Sequence, residues 1–105
     1  MASKAKNDPR SVSHESRVLD RLRRDPDFAT EYLKAAMEDD EETRVLLIAL
    51  RRIAEARGGI AQIARKAGIE RESLNRALSS RGNPRYSTLA AVAKAVGLRL
   101  TVEPA

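Results

Sequence analysis

The segment GIERESLNRAL, residues 68–78, sets four hydrogen-bonding side chains, Arg71, Glu72, Asn75 and Arg76, beside two leucines, Leu74 and Leu78. At 3.6 residues per turn the leucines fall on one side of a short helix and the polar groups on the other. Their chemistry matches base edges in a DNA major groove. Arginine forks onto guanine N7 and O6, asparagine onto adenine N6 and N7, and glutamate accepts from cytosine N4. A solvated face of mixed Arg and Glu is the simpler alternative, but it accounts for one or two such residues better than for four. Arg71, Glu72, Asn75 and Arg76 are therefore the expected base contacts.

A second cluster follows at once, formed by Arg81, Arg85, Tyr86, Ser87 and Thr88. Ser87 reads as the cap of a new helix, and free N–H groups at a helix start favour an anion. These five are the expected phosphate contacts, which fix register without reading sequence. Between the clusters, Asn83 and Pro84 shape a turn, with Gly82 as its left-handed cap.

Little else in the chain can do chemistry. His14 is the single histidine and there is no cysteine, so neither a His-based triad nor a thiolate metal site can be built. No glycine-rich phosphate loop or nucleophile motif occurs. The expectation is no catalytic residue, no metal, no cofactor and no enzyme. The acidic run of residues 38–42, which includes Asp39, Asp40, Glu41 and Glu42, suits the positive end of a following helix. By charge complementarity the same four residues are candidates for docking a basic protein partner.

Charge is unevenly spread over the 105 residues. Residues 1–57 hold 12 basic and 12 acidic side chains and residues 58–105 hold 8 and 3, so the whole net charge of +5 lies in the second part. With only Phe28, Tyr32 and Tyr86 as aromatics, an anionic partner would be met by charge and hydrogen bonds more than by stacking. The start, MASKAKNDPR, has no apolar run resembling a signal peptide, and no stretch of 18 apolar residues occurs, so a cytoplasmic protein without membrane contact is expected.

The elements that must position these residues read as helices. Residues 1–12 have no periodicity and are expected to form a disordered arm. A helix begins near Ser13 and stops before Pro26; Asp25 caps a second, which carries Phe28, Tyr32, Ala35 and Ala36. A third has the stripe Leu46, Leu47, Leu50, Ile53 and Ala54 and ends at Gly58 and Gly59. Residues 13–57 thus form an N-terminal helical region and residues 58–105 the part that carries both polar clusters. Three short helices follow, over 60–67, 71–79 and 88–96. Ala64, Gly68 four residues on and Leu74 six beyond have the spacing of a helix-turn-helix, although a plain helical hairpin needs the same small residues. Leu98, Leu100 and Val102 alternate with Arg99, Thr101 and Glu103, the period of a half-buried strand. Such a strand would pair with a second copy or with a partner's sheet edge, or else lie as an extended tail on the helical core.

Taken together, AQIARKAG, RESL, RAL and GNPRYSTL, with EYLKAAMEDDEE and ALRRIAEARGG upstream, resemble the addiction-module antidote proteins related to HigA, which carry an Xre-type, lambda-repressor-like helix-turn-helix. The likeness covers about residues 17–103. It implies an all-α domain of five helices, or six with the N-terminal one, and a short C-terminal strand. It further implies a homodimer that binds an inverted-repeat operator in double-stranded DNA, represses its own promoter and silences a co-encoded small basic toxin of the RelE/ParE type. Two positions depart from the family pattern, Glu70 where Ser or Thr usually opens the second helix and Asn75 where an aromatic is common. Both bear on which operator is read. The competing readings are a stand-alone Xre-type repressor without a toxin, and an inhibitor that binds only protein.

Overall fold

The computed structural model describes residues 9–38, 43–102 and 104, and among them the chain forms six helices and no strand. They are α1 (Pro9–Arg24), α2 (Pro26–Met37), α3 (Thr43–Ala56), α4 (Ile60–Ala67), α5 (Arg71–Ala77) and α6 (Tyr86–Ala95). Helix α1 begins four residues before the expected Ser13, so residues 9–12 are helical. Residues 39–42, the acidic docking candidates Asp39, Asp40, Glu41 and Glu42, lie outside the described residues.

The break between α1 and α2 follows from Pro26. Its ring excludes the helical conformation at Asp25, which takes φ −114° and ψ 99° and accepts from the Phe28 N–H at 3.0 Å. Arg21 completes the corner, with Nη2 3.6 Å from the Asp25 carboxylate and its guanidinium 4.1 Å from the Phe28 ring centre. The Phe28 N–H, aided by Arg21, holds the Asp25 carboxyl below its ordinary value of 3.8, because both favour the ionised form. A lowered folded pKa means that this cap is fully effective above the unfolded value and fades as pH falls through the folded one. Asp25→Asn keeps the accepting oxygen without the charge. The gap in Tm between wild type and Asp25→Asn should therefore close as the pH is lowered from about 6 to about 2; a gap constant over that range would show that the charge is irrelevant to the cap.

A single apolar cluster joins the helices: Leu22 of α1, Ala29 and Leu33 of α2, Leu47, Leu50 and Ile53 of α3, Ile63 of α4, Leu74 of α5 with Leu78 beyond its end, and Val92 of α6 with Val96 beyond its end. No polar side chain is buried with them among the described residues. Helices α1, α2 and α3 pack mutually, α4 packs on α5 and α6, and α3 meets α4, so α3 links the two sets. Small residues set the closeness of these contacts, Ala29, Ala54 and Ala64 being almost fully inaccessible.

Arg57, just past α3, is the polar counterpart of that core. Its Nε donates to the Leu22 carbonyl at 2.9 Å and its Nη1 to the Val96 carbonyl at 2.8 Å. One guanidinium thereby ties the end of α1 and the end of α6 to the end of α3, satisfying carbonyls that a helix leaves unpaired.

Two expectations change in the second half. Gly82 does not adopt a left-handed conformation; positive φ occurs instead at Gly58, Gly59, Gly68 and Gly97. Gly82 is needed for space, because a side chain there would overlap the backbone carbonyl of Ala77. The strand expected at Leu98, Leu100 and Val102 is also not formed, since no other strand is present among the described residues to pair with it. Leu98 still donates its N–H to the Ala93 carbonyl at 2.8 Å, Leu98 and Leu100 are half-buried against the core, and Val102 is 95 % exposed. This segment borders a groove of about 340 Å³ whose other wall is α2, with Leu33, Lys34 and Met37 facing Leu98 and Leu100.

Candidate nucleic-acid interface

The helix pair α4–α5 is built as the residue spacing requires. Gly68 sits at φ 71°, ψ 31°, its N–H donating to the Arg65 carbonyl at 3.2 Å, while the Ile69 N–H reaches back to the Ala64 carbonyl at 2.9 Å. This is the Schellman closure, and it demands a residue free to take positive φ. Residues 68–70 make the connection and α5 starts at Arg71. Ile63 and Ala64 on α4 face Leu74 and Leu78 on the other side, all at or below 2 % exposure, so the pair is fixed by its own core.

Glu70 occupies the cap position of α5 without capping it, its side chain making no bond to the first turn. Arg71, Glu72 and Arg76 are exposed on the outer side, with Arg76 Nη2 3.4 Å from Ser73 Oγ. Asn75 stands apart from these three. It is half-buried, and Arg51 of α3 holds it: Nη2 donates to the Asn75 backbone carbonyl at 2.9 Å and to Asn75 Oδ1 at 3.3 Å, while Nε donates to the Leu78 carbonyl at 3.2 Å. A cation thus closes the C-terminal turn of α5, where carbonyls lack partners and the dipole is negative. Nothing local in the sequence announced Arg51. The one available signal was a basic residue set beside the buried Leu50 and near Ile53, where a side chain must either leave the core or find carbonyls.

The second cluster lies at the next helix start. Arg81, Arg85, Tyr86 and Ser87 are exposed and Thr88 is half-buried. Helix α6 begins at Tyr86, two residues earlier than expected, with Arg85 at its cap position in extended conformation, φ −68° and ψ 156°. Ser87 is consequently inside the first turn and does not cap it. A cap residue must itself be non-helical, and Arg85, extended here, takes that position ahead of Ser87. Among the described residues the side chains of Arg71, Arg81 and Arg85 have no hydrogen-bond or ion-pair partner, in contrast to Arg23 and Arg24, which pair with Asp20, and Arg52, which pairs with Glu15 at 2.8 Å. Arg71 at the start of α5, Arg81 past its end and Arg85 before α6 are thus exposed arginines with no partner among the described residues.

The model of the family described as "Probable addiction module antidote protein" matches residues 15–104. The chain belongs to this antidote family. Membership implies a toxin as partner and suggests a regulatory role. The chain is also similar to an uncharacterised protein of Haemophilus influenzae, with 44 % identity over 72 residues, covering 69 % of this chain and 72 % of the relative. No solved structure matches the chain at a significant level. Among its described residues no helix is long and apolar enough to cross a membrane.

Proposed function

We propose that this protein is a cytoplasmic, dimeric, sequence-specific DNA-binding protein that represses its own operon and neutralises a co-encoded toxin of the RelE/ParE type. The observation that carries this reading is the α4–Gly68–α5 unit, a helix pair with a three-residue connection that presents Arg71, Glu72 and Arg76 outward, while Arg81 and Arg85, without a partner among the described residues, flank the following turn. In a lambda-repressor-like helix-turn-helix, α5 would be the recognition helix, entering the major groove at its N-terminal end. Arg81, Arg85, Tyr86, Ser87 and Thr88 would then meet phosphates on either side. A second copy, joined through Leu98, Leu100 and Val102, would place the two recognition helices ~34 Å apart on an inverted repeat. The acidic residues Asp39, Asp40, Glu41 and Glu42 remain the proposed docking patch for a basic toxin.

The test is a gel shift with DNA from upstream of the gene, combined with co-expression of the neighbouring short reading frame. A specific complex and a co-purifying small basic protein, toxic when produced alone, are the expected results. Arg71→Ala and Arg76→Ala should each relax preference at one base pair by ~1–3 kcal/mol. Intact discrimination in both variants would remove α5 as the reading element, and the absence of any specific shift would sink the regulator reading as a whole.

A further inference from the structure

We infer that Arg51, a residue of α3 outside the proposed DNA-facing surface, sets the base preference of α5 by turning the Asn75 oxygen toward α3, so that the amide nitrogen is the atom offered to the groove. The inference rests on the DNA-binding reading above. Its basis is the Arg51–Asn75 contact, in which Nη2 lies 3.3 Å from Asn75 Oδ1 and 2.9 Å from the Asn75 backbone carbonyl, with Nε held at 3.2 Å by the Leu78 carbonyl. Three bonds from one rigid guanidinium to one helix end define the position of both partners.

The orientation of the amide follows from chemistry. A guanidinium has five donors and no acceptor, so the atom that Asn75 turns toward Arg51 has to be its oxygen. Asparagine recognises adenine by closing a fork, with its oxygen accepting from N6 and its amide nitrogen donating to N7. That fork requires both atoms on the edge facing the base, and here the oxygen faces α3. The Nδ2 group is left for the groove, one turn along α5 from the exposed Arg71 and Glu72. A donor alone is best matched to guanine, whose O6 and N7 both accept, or to thymine O4; at adenine it can still donate to N7, but the fork is lost and the N6 amino group is left beside a second donor. Arg51 is in this sense a positioning residue, acting on DNA through Asn75. The expectation drawn from residue type alone, that Asn75 would read adenine, is replaced by a preference for guanine or thymine.

The experiment is selection of bound duplexes from a library randomised across the half-site, using the full chain, its Asn75→Ala and Arg51→Met variants, and thermal unfolding to establish that each variant is folded. Asn75→Ala should flatten the preference at one position by about tenfold. The wild type should select guanine or thymine there, and Arg51→Met, by releasing the oxygen, should move the selection toward adenine. Should Arg51→Met not fold, the wild type still decides the matter by its own selection of guanine or thymine against adenine, and NMR checks that the contact exists: the Asn75 side-chain NH2 signals should shift when operator DNA is added. A wild-type preference for adenine at that position, an Asn75→Ala variant with unchanged selection, or NH2 signals indifferent to operator would each overturn the inference while leaving DNA binding standing. A wild type that selects no sequence would instead remove the DNA-binding reading, and this inference with it.

Discussion

Leu74→Ala should lower the unfolding free energy by about 2–5 kcal/mol, the range for a leucine truncated in a close-packed core. Leu74 is 0 % exposed and sits where α5 meets α4, opposite Ile63 and Ala64. Collapse around the missing atoms is opposed on two sides: α4 is already closed at Gly68, and Arg51 pins the far end of α5. The loss should therefore fall toward the upper part of the range. For a domain of this size, whose whole stability is about 5–15 kcal/mol, such a change removes a large fraction of it. Gly82→Ala provides the comparison, because its added methyl meets the Ala77 backbone and not a flexible side chain. Overpacking of that sort costs about 1–3 kcal/mol, through displacement of the turn without any cavity. Urea unfolding of both variants would distinguish them, and a Leu74→Ala loss under about 1 kcal/mol would contradict the packing described for the α4–α5 contact.

Periodicity made the elements and their apolar sides legible, because it is a local property. Asp25 and Pro26 announced the α1–α2 corner, and Gly68 announced the left-handed end of α4, since in each case a single residue type satisfies a nearby backbone requirement. What could not be read were the bonds that cross the fold. Arg57 reaches carbonyls 35 and 39 residues away, and Arg51 reaches carbonyls 24 and 27 residues away. No local pattern distinguishes such arginines from the solvated ones of α1. Gly82 shows the same limit in another form. Glycine beside Asn83 and Pro84 suggests a left-handed turn, whereas the reason for it is a close approach to Ala77 that appears only once the chain is folded. The Asn75 oxygen is likewise assigned by a partner on another helix, so the candidate reading face was visible in outline but the polarity of one of its four members was not.

Raising salt from 50 to 200 mM should weaken operator binding by ~10²-fold, if Arg81 and Arg85 of two copies together neutralise about four phosphates. The candidates for those contacts on each copy are Arg81 and Arg85, exposed and without a partner among the described residues, with the backbone and hydroxyl donors around Tyr86 and Ser87 beside them. Because a phosphate contact is indifferent to base identity, Arg85→Ala should weaken every duplex about equally and reduce the slope of log K against log salt by about one per copy. Leu100→Asp probes the other half of the claim. Leu100 is half-buried beside the exposed Val102, in a segment that forms no ladder within its own chain. A charge there would oppose apolar pairing between two copies without touching Arg81 or Arg85. If that segment joins the dimer, Leu100→Asp should be monomeric in sedimentation and should show roughly half the wild-type salt slope, since one copy releases only its own counterions. A monomeric Leu100→Asp with the full slope would mean that a single copy carries all the phosphate contacts, and a dimeric one would move the pairing surface away from residues 98–102. The two measurements together distinguish a protein that holds DNA by two symmetric sets of arginines from one that binds it as a single module.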